Sequence, residues 1–124
     1  MSGGNPKKKA AQAASLAPQA RTATANGAST DLAGYNGAIC LVSVGVITDG
    51  THTPKLQECD DNATWTDVVA GDLEGAFVAL VSATNQFVGY KGRRRYLRAV
   101  VTVAGATTGG VYGCTILREG AMQT

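Results

Sequence analysis

The chain is poor in the residues that build active sites. Its 124 residues include one histidine, three cysteines, three prolines and seven aromatic residues. Cys40, Cys59 and Cys114 form no CxxC pair and have no histidine at zinc-ligand spacing, so no zinc motif is present. The odd count also argues against a disulfide framework. Each cysteine lies in or beside an apolar stretch and reads as a small buried hydrophobe in a reducing compartment. No run of about 18 apolar residues exists to cross a membrane. The basic start leads into Ala, Gln and Ser rather than the apolar core of a secretory signal.

Acidic residues are missing from residues 1–30, which hold Lys7, Lys8, Lys9 and Arg21. Apart from Met1, Leu16 is the one large aliphatic residue there. Of the 11 basic residues, four lie in this stretch and seven beyond it, against nine acidic residues beyond it. The net charge of +2 therefore divides into +4 on a front segment and −2 on the remainder. The composition predicts a flexible basic arm over residues 1–30 and a folded domain over 31–124. Residues 1–19 should be disordered in isolation. Ala10 to Ala17 favours a helical turn on a partner, and the first strand is expected at Arg21 to Thr24. Such an arm suits nucleic acid or an acidic protein surface.

What the remainder does have is Val, Thr and Ala, punctuated by 16 glycines and by Asx turns. Ala38 to Val46 is nearly continuous apolar sequence and reads as a strand buried on both faces. Thr53 to Cys59 is a strand whose start Pro54 assigns to an edge or a bulge. Trp65 to Val69 and Gln86 to Tyr90 are short strands, and Trp65 is expected to anchor the core. Tyr96 to Val103 alternates, and Val111 to Leu117 closes the domain. Six to eight short strands without a long helix predict an all-β fold. The architecture expected is an antiparallel β-sandwich, jelly-roll-like, with an extended basic N-terminal arm.

Candidate chemistry is sparse. His52 follows Asp49-Gly50-Thr51 and reads as a solvated turn residue; no orienting partner or nucleophile can be named for it. Asp60-Asp61-Asn62 offers oxygen ligands but lacks the EF-hand glycine and glutamate, and reads as a turn. Asp72 and Glu74 form a loop-surface pair. Gly105 to Gly110 has neither the Lys-Ser/Thr nor the helix of a phosphate loop and reads as flexible. No catalytic residue, metal ligand or cofactor is assigned, and an enzyme is not expected. The strongest local signal is Lys91 to Arg98, with five positive charges in eight residues and Tyr96 among them. It suits an acidic protein partner gripped by arginine forks, a nucleic acid, or plain solvation. The candidate partner-binding residues are Lys7, Lys8, Lys9, Arg21, Arg93, Arg94 and Arg95.

Five phrases occur together: Asp49-Gly50-Thr51-His52-Thr53, Glu58 to Val68 with Asp60-Asp61-Asn62 and Trp65, Asp72-Leu73-Glu74-Gly75, Val88-Gly89-Tyr90-Lys91-Gly92, and Arg95 to Val100. The string resembles a family of small structural proteins of tailed bacteriophages and prophages, over about residues 30–118. The long basic front segment departs from the shared pattern. The resemblance implies a capsid decoration (cement) protein on the outer surface of the virion, present in host cytoplasm during assembly, with the major capsid protein as partner. Homo-oligomerisation as a dimer or trimer is expected, with no membrane partner and nucleic acid the weaker choice. The alternatives are a head–tail connector or tail structural protein, and a nucleic-acid-binding accessory protein.

Overall fold

Glycine and Asx turns cut the chain into ten strands in the computed structural model, which describes residues 8–122, with side chains over 14–120. The strands are β1 (Lys8–Arg21), β2 (Ala25–Asn26), β3 (Thr30–Asp31), β4 (Tyr35–Ile47), β5 (Thr51–Cys59), β6 (Thr66–Asp67), β7 (Leu73–Glu74), β8 (Gln86–Tyr90), β9 (Tyr96–Ala104) and β10 (Gly110–Met122). One 3-10 turn spans Ala70–Asp72. The first sheet has the order β1-β10-β4-β8-β7 and the second β2-β9-β5-β6, with β3 also on β9. Every pairing is antiparallel. The fold is an all-β sandwich.

Alternation places the core. Cys40, Val42, Tyr112, Cys114 and Ile116 face inward from the first sheet, and Leu56, Leu97, Ala99 and Val101 face them from the second. Leu32, Val68 and Leu80 close the cluster from connecting segments. All three cysteines are buried free thiols. Cys40 and Cys114 touch thiol to thiol, and that contact with burial pushes the Cys40 thiol up. Pro54 sits where β5 has a free edge, since β6 pairs only with Gln57 and Glu58. Its missing N–H therefore costs no ladder bond.

Residues 8–21 depart from the expected disordered arm and its helical turn. They form one long strand along β10. The physical reason is an edge: without β1, alternate residues along the 13-residue β10 would present unpaired backbone groups. Tertiary pairing then overrides the weak helix preference of Ala and Gln. An irregular register between Ala14 and Leu16 turns both Ser15 and Leu16 inward. The Ser15 hydroxyl donates to the Ala28 carbonyl at 2.9 Å and accepts from the Ala99 amide at 3.0 Å. Those bonds tie the first sheet to β9 of the second. Gly27 permits the approach, because a Cβ there would run into the Ser15 hydroxyl and the Ala99 carbonyl.

Candidate docking surfaces

The residues capable of chemistry are committed to structure. His52 is 1 % exposed, not solvated as the sequence suggested. It falls on the inward phase of β5, one place after Thr51, and points between the sheets. Its Nδ1 lies 2.8 Å from the Tyr112 hydroxyl and its Nε2 3.0 Å from the Asp49 carbonyl. The Asp49 carbonyl can only accept, so Nε2–H donates to it. Burial pushes the Tyr112 phenol up to about 12. The Asp49 carboxylate accepts from the amides of Gly109, Thr108 and Thr107, which hold it below the usual carboxylate range. The Gly-rich loop expected to be flexible is thus clasped onto the turn before β5.

Asp61 closes its turn by accepting from the Thr64 amide at 2.8 Å and the Ala63 amide at 2.9 Å, which hold its carboxyl at about 2. Among the described residues, no group of histidine, cysteine or carboxylate side chains is placed to hold a metal ion. Trp65 corrects an expectation. It is half-buried on the outside of the second sheet, with the Arg98 guanidinium 4.4 Å from its ring centroid, and lies outside the core. Arg98 also donates twice to the Gln57 side-chain oxygen.

The basic segment joins β8 to β9 at one end of the sandwich, and its members divide. Arg94 pairs with Asp60 at 2.6 Å. Arg95 forks onto Asp31, with Nε and a terminal nitrogen each on one carboxylate oxygen at 3.1 and 3.0 Å. That fork, with the Ala33 amide, holds the Asp31 carboxyl at about 2. Lys91 and Arg93 are exposed, and among the described residues their charged groups have no ion-pair partner. Arg93 borders a groove of about 410 Å³ that also includes Leu32, Tyr35, Asn36 and Gly92. Both free cations border a second depression whose carboxylates are Glu58, Asp60 and Asp72.

A buried relay sets the loop's path. The Arg94 amide donates to the Tyr90 hydroxyl at 3.2 Å, and that hydroxyl donates to the Glu58 carboxylate at 2.6 Å. Burial first, and the Glu58 carboxylate second, push the Tyr90 phenol up. A Cβ on Gly92 would collide with the Tyr90 ring, so only glycine lets the chain cross it. The Lys91 amide is held by the Asp72 carbonyl at 2.7 Å. The sequence showed the cluster of charge. It could not show which cations are consumed inside the chain, because their partners Asp31 and Asp60 lie 64 and 34 residues away.

Of the other candidate cations, Arg21 donates to the Ala17 carbonyl on its own strand at 2.7 Å. Lys8 and Lys9 begin β1, and Lys7 lies outside the described residues.

A second surface was not singled out in the sequence as a site. The outer face of the first sheet carries Ile39 and Leu41 from β4, Phe87 from β8, and Thr115 and Leu117 from β10, around a shallow depression of about 230 Å³. Phe87 is 66 % exposed. Val111 continues this face alongside Gly45. Charge returns at one end, with Glu74, Glu119 and Lys91. The outer face of the second sheet is different: Thr51, Thr53, Lys55 and Gln57 on β5 lie beside Arg98 and Thr102 on β9, and Lys55 pairs with Asp67 at 3.0 Å.

No protein-family model and no curated protein sequence matches the chain. Solved structures do share the fold. A prophage-derived protein, YomS of the SPBc2 prophage, superposes with a TM-score of 0.56 at 16 % identity, over 90 % of this chain and 94 % of that one. A second is a protein of Bacillus endospore appendages, described as forming a novel family of disulfide-linked pili. It superposes with a TM-score of 0.50 at 13 % identity, over 100 % of this chain and 97 % of that one. At such identities the likeness is one of fold.

Proposed function

We propose that the chain is a structural subunit of a phage-type particle that decorates the head by binding the lattice of major capsid protein. The observation that carries this reading is the division of the basic loop. Arg94 and Arg95 fasten it to Asp60 and Asp31, while Arg93 is left outward beside a groove and Lys91 beside the depression it shares with Arg93. A loop held at fixed points and presenting free cations suits an acidic protein surface, because little side-chain and backbone order is lost on docking. Lys7, Lys8 and Lys9 add positive charge near the start of β1. The phrases that resemble those of small structural proteins of tailed phages favour a capsid as that surface. The two solved neighbours fit a structural role, one being prophage-derived and the other assembling into pili. Cement action follows by linkage: a subunit that binds the closed lattice and not free capsid protein stabilises the lattice.

The test is copy number and occupancy. Particles stripped of this chain and refilled with it should take up hundreds of copies on the order of the capsid subunits themselves. A Lys91→Glu/Arg93→Glu variant should lose at least about tenfold in affinity for the shell, by the opposed charges. Six to twelve copies at one vertex would instead make it a head–tail component. Uptake of the variant equal to that of the wild type would remove the basic loop from the contact.

A further inference from the structure

We propose that the outer face of the first sheet is a homodimer interface, where a second copy of this chain docks sheet against sheet about a two-fold axis. The argument starts from β4. A strand that packs on one face and meets water on the other alternates apolar and polar residues. From Ala38 to Val42 this strand is apolar at every position. The fold covers one set, Ala38, Cys40 and Val42, and leaves Ile39 and Leu41 at the surface beside Phe87 and Leu117. The second set has the chemistry of a core without a layer over it, and the opposite outer face of the same molecule is polar and ion-paired.

Charge and area favour a second copy as that layer. Across a two-fold axis a surface meets itself, so a face bearing net charge would repel its mate. Between Val111 and Leu117 on β10, Ile39 and Ser43 on β4, and at Phe87 on β8, the outward residues carry no charge, so the pairing buries no unmatched ion. The five strands are 14, 13, 13, 5 and 2 residues long, and at a spacing of about 4.8 Å they present a face of roughly 750 Å². Covering all of it comes near the ~800 Å² per partner of a standard interface, and covering part of it suits a weak, reversible dimer. The apolar strip forms the centre and the polar ends the rim. Lys91 lies at the rim of this face with Glu74 and Glu119, while Arg93 borders the groove at the end of the sandwich and stays free for another partner.

The experiment is sedimentation equilibrium of the full chain across the micromolar range. The expected result is a reversible species of twice the 12.6 kDa chain mass. Phe87→Glu should weaken the association about 30-fold or more, while Leu117→Gln weakens it less. Both should keep the wild-type melting midpoint under dilute, monomeric conditions. Arg93→Glu should dimerise as the wild type does. A wild type that stays monomeric at every concentration overturns the proposal and assigns the face to another protein. So does a dimer that survives Phe87→Glu and Leu117→Gln, or a trimer that either variant dissolves.

Discussion

Leu16 offers the sharpest test of whether the front segment belongs to the fold. Its side chain is 4 % exposed and belongs to the core cluster with Tyr112, Cys114 and Leu97. Leu16→Ala removes three carbon atoms from that environment, worth roughly 2.4 kcal/mol of transfer at ~0.8 kcal/mol each. The wall around Leu16 is made of strands held in two ladders and relaxes little. A residual cavity of some 40 Å³ then adds about 1 kcal/mol. The expected loss is about 3 kcal/mol out of a total of roughly 5–15. For a domain of this size that lowers the melting midpoint by about 10 °C. Urea titration and calorimetry of wild type, Leu16→Ala and the exposed control Gln19→Ala would measure it, with Gln19→Ala within about 0.5 kcal/mol of wild type. A Leu16→Ala loss below about 1 kcal/mol would refute the reasoning: residues 8–21 would then contribute little to the core, and the front segment would act as the detachable arm its composition suggests.

Two further perturbations probe the loop and the turns. Tyr90→Phe keeps the ring but removes the link between the Arg94 amide and the buried Glu58 carboxylate, so it should cost about 2–3 kcal/mol; a double-mutant cycle with Glu58→Gln should show coupling, and additive losses would mean the relay contributes nothing. Asp31, Asp49, Asp60, Asp61 and Asp67 all have carboxyls held below their usual value of 3.8, Asp31 and Asp61 at about 2. A group whose pKa is depressed on folding stabilises above its unfolded pKa and loses that contribution as pH falls through the folded one. The melting midpoint should therefore be level above pH 5 and decline between about pH 4 and 2. Asp61→Asn should flatten part of that decline, and an unchanged slope would show that the Asp61 turn persists in the unfolded chain.

Local patterning carried most of the fold. β4, β5, β8, β9 and β10 lie where β-branched residues cluster or alternate, and the edge position of Pro54 followed from its missing N–H. Two classes of feature were not legible. The first is long-range pairing without a hydrophobic signature. The Ala- and Gln-rich β1 has Leu16 as its one large apolar anchor in the described side chains, and it is placed by the demand of the β10 edge rather than by its own propensity. The second is the phase of a lone residue near a turn. His52 is buried where solvent was expected, because one step along a strand moves a side chain to the other face, and Trp65, just before β6, is half-buried outside the core. The basic cluster was visible, but its working part was not: sequence distance hides that Asp31 and Asp60 engage Arg95 and Arg94 and leave Lys91 and Arg93 free.

The two docking surfaces proposed have consequences for each other. An exposed ion-pairing loop docks weakly by itself, since surface charge pairs contribute about 0–1 kcal/mol each and are screened by salt. A dimer joined through the first sheet would present two such loops, one at the end of each sandwich. Once one is bound, the second meets the shell at an effective concentration in the millimolar range, which raises overall affinity by about 10²–10⁴ without a new kind of contact. Decoration would then depend on the apolar face although that face never touches the shell. Phe87→Glu, which leaves Lys91 and Arg93 intact, should therefore lower shell occupancy by about that factor. Direct docking of the apolar face on the shell would lower occupancy as well, but it would do so in a chain that sediments as a monomer before the substitution. Measured together, sedimentation and occupancy assign the face to one partner or the other.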